Sequence, residues 1–201
     1  MIGEDKNSTI IDGSGSGNVV CISENMVNIG GFYIQYSQNS TGYSGIRIES
    51  DYSSIFNNKF YNNRHGISFY ESNNNSIRDN IFSSNVERGI TLKQYCCNNS
   101  IFNNLFTNNG GSSLVIDVHS CDNSVYCNII TNNNRGIAID DWSNHNTIFN
   151  NSINGNTIEG IALTDYCEYN NIFENNISNN LYGIGLSRTS NFNKMYHNNF
   201  L

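Results

Sequence analysis

The chain has 201 residues, too few to divide readily into several domains, and carries a formal net charge of −7 with only 10 Lys and Arg. Phosphate neutralisation needs a basic face that no stretch supplies, which argues against nucleic acid as a partner. No apolar run approaches the ~20 residues of a membrane span, and Met1-Ile2-Gly3-Glu4-Asp5 lacks the basic and apolar regions of a signal peptide.

Residues 1–201 read as one domain in two parts. The first 44 are the less regular: short apolar segments alternate with Gly13-Ser14-Gly15-Ser16-Gly17 and with a long connection from Tyr33 to Tyr43. From residue 45 an anchor recurs every 21 to 24 residues, as Gly45-Ile46-Arg47-Ile48, Gly66-Ile67-Ser68-Phe69, Gly89-Ile90-Thr91-Leu92, Ser113-Leu114-Val115-Ile116, Gly136-Ile137-Ala138-Ile139, Gly160-Ile161-Ala162-Leu163 and Gly183-Ile184-Gly185-Leu186. A second apolar column follows each anchor at Ile55, Ile77, Ile101, Val125, Ile148, Ile172 and Met195. A third lies at Phe60, Phe82, Phe106, Ile130, Ile153, Ile177 and Phe200.

Alternation such as Ile90-Thr91-Leu92 has the two-residue period of a strand with one buried face, and these segments are too short for helices. The repeat length also suits a leucine-rich repeat, but the Leu-rich consensus and helical half are missing. Three strands turning within one repeat predict an all-β, right-handed parallel β-helix of about eight coils, each stacked ~4.8 Å above the last.

The 41 asparagines then acquire positions. One column is Asn58, Asn80, Asn104, Asn128, Asn151, Asn175 and Asn198; another is Asn63, Asn85, Asn109, Asn133, Asn156 and Asn180. A third, Asn75, Asn99, Asn123, Asn146, Asn170 and Asn193, follows by three residues a small column of Ser72, Cys96, Ser120, Ser143, Cys167 and Ser190. At strand spacing an amide can donate to its copy on one coil and accept from its copy on the other, so internal Asn ladders are expected. Cys96 and Cys167 read as small buried residues in that register.

These residues carry a family resemblance. Ser8-Thr9-Ile10-Ile11-Asp12-Gly13, Val27-Asn28-Ile29-Gly30-Gly31-Phe32 and repeats such as Asn99-Ser100-Ile101-Phe102-Asn103-Asn104 resemble the parallel β-helix repeat family that includes NosD-like and sugar-hydrolase-like proteins. The resemblance implies the fold and an extracellular, cell-surface or periplasmic location. It implies no single activity, since such proteins include carbohydrate-binding modules, lyase-like enzymes, copper-site accessories and surface structural proteins.

Chemistry is expected on outward positions. After the anchor the coils present Lys93, Asp117, Asp140 and Thr164, then Gln94, Val118, Asp141 and Asp165, then Tyr95, His119, Trp142 and Tyr166. Aromatic faces suit sugars, and two carboxylates about 5 to 10 Å apart suit a glycosidase, making Asp117, Asp140, Asp141 and Asp165 the catalytic candidates. Asp117, Asp140 and Asp141 could equally hold Ca²⁺, or merely populate solvated turns; no other cofactor is expected. Lyase chemistry would look to Lys93 or Arg188 for a basic group. A second aromatic column, Phe56, Phe102, Tyr126, Phe149, Phe173 and Tyr196, is interrupted by Arg78 and suits self-stacking or contact with a glycan or protein. Beside it, Val115, Ala138, Ala162 and Gly185 form a flat face. Cys97 and Cys121 align on adjacent coils and could pair as a disulfide, or with His119 bind a soft metal.

No spacing amounts to a catalytic motif, so the first expectation is a non-catalytic recognition or structural solenoid, with a glycoside hydrolase or polysaccharide lyase as the alternative and a copper accessory after it. Neither end carries a capping helix, so both are expected to be open, which suits a segment of a longer protein or head-to-tail self-association.

Overall fold

A computed structural model describes all 201 residues as 25 short strands with no helix. The strands belong to three parallel sheets, and each pairs with the strand three places further along the chain. The sheet built on the Gly-Ile anchors, here the anchor face, has eight strands from Val20–Ile22 to Tyr182–Leu186. The Ile column lies on a second eight-strand sheet, and the Phe column on a nine-strand sheet from Ile10–Asp12 to Asn199–Phe200. Registry is one residue to its equivalent: Ile90 faces Leu114, Thr91 faces Val115 and Leu92 faces Ile116.

Thirty buried apolar residues fill the tube. Each Ile, Leu or Phe withdrawn from water stabilises the fold by about 1.5–3 kcal/mol. Phe60, Phe82 and Phe106 stack with ring centroids 4.7 and 4.8 Å apart, one rise of the solenoid. The anchor glycines make room for these rings. A Cβ on Gly66 would lie 2.6 Å from Phe82 Cδ1 and 2.5 Å from the Gly89 carbonyl oxygen, so only hydrogen fits.

All three ladders form. Asn104 Nδ2 donates to Asn128 Oδ1 at 3.1 Å, and the same oxygen accepts the Asn104 backbone N–H at 2.9 Å. The second Asn104 N–H turns back to the Ile77 carbonyl at 2.9 Å. One side chain therefore satisfies a backbone N–H and a backbone carbonyl of the preceding coil while joining the side chain of the next. The small column works alike: Cys96 N–H donates to Ser120 Oγ at 3.1 Å. Cys96 and Cys167 are wholly buried, which pushes their thiols up to about 11 and about 12 and keeps them protonated.

A second use of Asn appears beside the first. The residue before each ladder position has positive φ, as at Asn57, Asn62, Asn98, Asn103, Asn108, Asn132, Asn150 and Asn179. Asn tolerates that left-handed region better than other side-chain-bearing residues, so Asn-Asn pairs mark the corners. Where the column departs from Asn, Gly155 takes the same conformation at φ 67°.

Candidate functional site

The corner following the anchor face is built from two consecutive left-handed residues on each coil: Gln94-Tyr95, Val118-His119, Asp141-Trp142, Asp165-Tyr166 and Arg188-Thr189. Their backbones bond from coil to coil, with Tyr95 N–H donating to Val118 O and Trp142 N–H to Asp165 O, at 3.0 and 2.9 Å. This turn holds the predicted aromatic column outward. Tyr95, His119, Trp142 and Tyr166 stack in sequence at centroid distances of 5.4, 6.4 and 4.4 Å. The second column does likewise: Phe102, Tyr126, Phe149, Phe173 and Tyr196 stack at 4.9 to 5.2 Å. Arg78 fills its gap, its guanidinium 4.7 Å from the Phe56 centroid. Rings stacked this way cover one another's faces, leaving mainly edges toward solvent. A further stack went unread in the sequence: His145, Tyr169 and Phe192, one ring per coil at 5.4 and 5.3 Å. Its members differ chemically, and only the left-handed corner position unites them.

The predicted carboxylates do share one edge. Asp117 lies opposite Lys93, and the Asp140 N–H donates to the Ile116 carbonyl at 2.8 Å on the next coil. Thr164 Oγ1 donates to Asp140 and, at 3.2 Å, to Asp165. Arg188 donates to both Asp165 oxygens at 3.1 and 3.2 Å. Burial, with Asp140 and Asp141 close by, raises the Asp117 carboxyl above its ordinary range.

No three Asp, Glu, His or Cys side chains are gathered to hold a metal ion. Of the Ca²⁺ set Asp117, Asp140 and Asp141, Asp140 accepts the Thr164 hydroxyl. Cys97, His119 and Cys121 do not converge, because the His119 ring lies between Tyr95 and Trp142. Cys97 and Cys121 are free thiols, joined only by the Cys121 N–H donating to Cys97 Sγ at 3.3 Å.

The outward side of the anchor face is a trough. Its floor is the register column Arg47, Ser68, Thr91, Val115, Ala138, Ala162 and Gly185. Val115, Ala138 and Ala162 are buried although they lie outside the core cluster, because flanking side chains rise above them. One rail is Tyr70, Lys93, Asp117, Asp140, Thr164 and Ser187. The other is His65, Arg88, Ser112, Arg135, Glu159 and Tyr182.

At the N-terminal half of the trough lies a cleft of about 230 Å³ bordered by Arg47, His65, Tyr70, Arg88, Thr91 and Lys93. Three of the chain's ten basic residues meet there. The Arg47 guanidinium lies 5.1 Å from the Tyr70 centroid and pairs with Glu49 at 2.5 Å. Glu87 anchors the far wall, 2.8 Å from Arg64 and 3.6 Å from His65 Nε2. Burial depresses the His65 pKa to about 4, so the ring is neutral at pH 7. Two buried polar atoms have no partner anywhere in the molecule, His65 Nδ1 and Thr91 Oγ1, and both belong to residues of this cleft. Both atoms are shut off from solvent, Thr91 on the floor of the trough and His65 on one rail.

Of the two lyase candidates, Lys93 is in the cleft and Arg188 is committed to Asp165. The sequence reading followed only the small half of the floor column. Its polar half, Arg47, Ser68 and Thr91, was the available signal.

Residues 5–168 match the family described as the right-handed β-helix region. The chain belongs to that family. No curated protein matches the sequence. Among solved structures, a double mutant of the periplasmic alginate epimerase AlgG superposes with TM-score 0.66 at 18% identity, over 90% of this chain and 61% of that one. The A-module of the Azotobacter vinelandii mannuronan C-5 epimerase AlgE6 gives 0.59 at 16% identity, over 92% and 63%. The A-module of AlgE4 from the same organism gives 0.53 at 12%, over 99% and 78%. At these identities the likeness is one of fold. The chain spans about three fifths of the length of the first two.

Proposed function

We propose that this β-helix acts on an acidic polysaccharide, holding a uronate unit in the cleft between Arg88 and Lys93. The observation that carries the reading is a single cleft on which Arg88 and Lys93 converge beside Tyr70. The similarity to epimerases of alginate and mannuronan supports it, and AlgG's periplasmic setting supports a location outside the cytoplasm.

The chemistry follows from the groups present. A proton on the carbon beside a carboxylate becomes removable when cations neutralise the carboxylate and stabilise the charge that develops on it. Arg88 and Lys93 supply that charge. Of the groups lining the cleft, the Tyr70 hydroxyl can exchange a proton with that carbon, while His65, neutral because it is buried, turns Nε2 toward Glu87 behind it. Return of a proton to the opposite face of the carbon inverts it. Loss of the neighbouring glycosidic oxygen instead, with its bonding pair, cleaves the chain and leaves a double bond in the sugar.

The test combines binding and turnover on polymannuronate, polygalacturonate and a neutral glucan. Arg88→Ala with Lys93→Ala should weaken binding to a polyuronate at least tenfold, roughly two lost charge contacts. Tyr70→Phe should retain binding and lose proton exchange in deuterated water, read by NMR. Equal affinity for the neutral glucan, or an Arg88/Lys93 double variant that binds like the parent, overturns the reading. Uronate binding with no exchange or cleavage identifies a non-catalytic recognition module.

A further inference from the structure

The trough changes sign along its length. Beyond the cleft, the rail that supplies Lys93 continues directly into Asp117 and Asp140, with Asp141 on the turn that follows. None of the molecule's ion pairs involves these three carboxylates. The opposite rail offers no free cation at this level, because Arg135 is held by Glu159 at 2.6 Å.

Successive coils lie ~4.8 Å apart, so Asp117 and Asp140 stand about one and two coils beyond Lys93. A polymer lying along the trough with one carboxylate in the cleft would bring the next within about a Debye length of these acids at 0.1 M salt. Ionised carboxylates accept hydrogen bonds and donate none, so this stretch of rail favours sugar hydroxyls and repels a second acid. The floor beneath, Val115, Ala138 and Ala162, is aliphatic and shallow, suited to the C–H face of a neutral ring.

Resting on the uronate reading of the cleft, we infer that the trough takes a mixed polysaccharide, with a uronate unit at Arg88 and Lys93 followed by neutral units along Asp117, Asp140 and Asp141. A polymer charged at every unit fits the cleft and is opposed by the rest of the trough.

Calorimetric titration with three oligosaccharides of equal length tests this: a homopolyuronate, an alternating uronate–neutral oligomer and a neutral oligomer. The alternating ligand should bind the parent about tenfold more tightly than the homopolyuronate at low salt, the combined effect of three weakly screened charges. In the triple variant Asp117→Asn, Asp140→Asn, Asp141→Asn the homopolyuronate should gain about that factor, while the alternating ligand stays within about twofold. Circular dichroism of the triple variant checks that the coils persist, and the single variant Asp141→Asn, at an exposed turn, should give a smaller gain of the same sign. Homopolyuronate binding the parent as well as the alternating ligand, with no gain in the variants, overturns the inference and leaves the cleft reading intact. If neither charged ligand binds and Arg88→Ala changes nothing, the cleft reading falls and the inference with it.

Discussion

Asparagine does two jobs in adjacent residues, and the two should respond differently to substitution. Asn128 donates to Asn151 Oδ1, Ile101 O and Tyr126 O at 2.9 to 3.0 Å and accepts from Asn104. Asn128→Ala strands several of these buried groups, so a loss of about 3–5 kcal/mol is expected, as each orphaned group costs about 1–3. Asn128→Asp should cost more, since a buried carboxylate would face two carbonyls. Asn150→Ala, at the preceding left-handed residue, should cost only about 1–2 kcal/mol, the penalty of a Cβ there without a compensating side chain. Denaturant titration of the three proteins orders them; equal losses at 128 and 150 would contradict the division of labour. His65 gives a pH signature. Its folded pKa of about 4 lies below the ordinary 6.5, so the unfolded chain binds the extra proton between those values. Stability is therefore full above pH 6.5 and falls toward pH 4, by up to about 3 kcal/mol. His65→Gln should flatten that limb of the pH–stability curve, and an unchanged slope would show that the ring is not held neutral.

At the scale of strands and corners, a column is strong because one residue type suits every level. Phe82 stacks between Phe60 and Phe106, so Phe82→Ala removes contact on two sides and should cost about 3–5 kcal/mol by thermal or denaturant unfolding. A loss below about 1 kcal/mol would mean the stack collapses over the gap. Such sameness is also why the elements could be read in advance. The Ile column and all three Asn columns emerge from spacing alone, because registry forces like onto like. The cleft was not legible in that way. In a single floor column the hydroxyls of Ser68 and Thr91 follow a guanidinium at Arg47 and give way to aliphatic residues, and His65 and Arg88 lie just before the anchor glycines rather than after them. A scaffold in a repeat protein announces itself by recurrence, whereas a site is a local departure from recurrence. The acidic edge was legible because four of its members are Asp, but Thr164 and Arg188 bind into it through contacts spacing does not specify.

For the molecule as a whole, the three faces have different uses. The Phe and Ile faces close the tube, and the anchor face alone carries a recessed floor between raised rails. That division explains how a chain with a net charge of −7 can offer an anion site: three cations gathered in one cleft act locally, while most of the acids lie beyond screening range. It also explains why fold similarity to several epimerases coexists with identities of 12 to 18%. The coil demands Gly, Ile and Asn at set positions and leaves the outward residues free to vary.

The ladders also give the tube a sense of direction. In each rung the amide oxygen faces the preceding coil, where it takes the N–H groups of that level, and one amide hydrogen faces the next. The two ends of each ladder are consequently unlike: at Phe32, Ser37 and Ser53 backbone N–H groups fill the first amide oxygens, whereas the last amides, Asn193 and Asn198, donate back to the carbonyls of Cys167 and Ile172. Along each ladder, then, every rung points the same way.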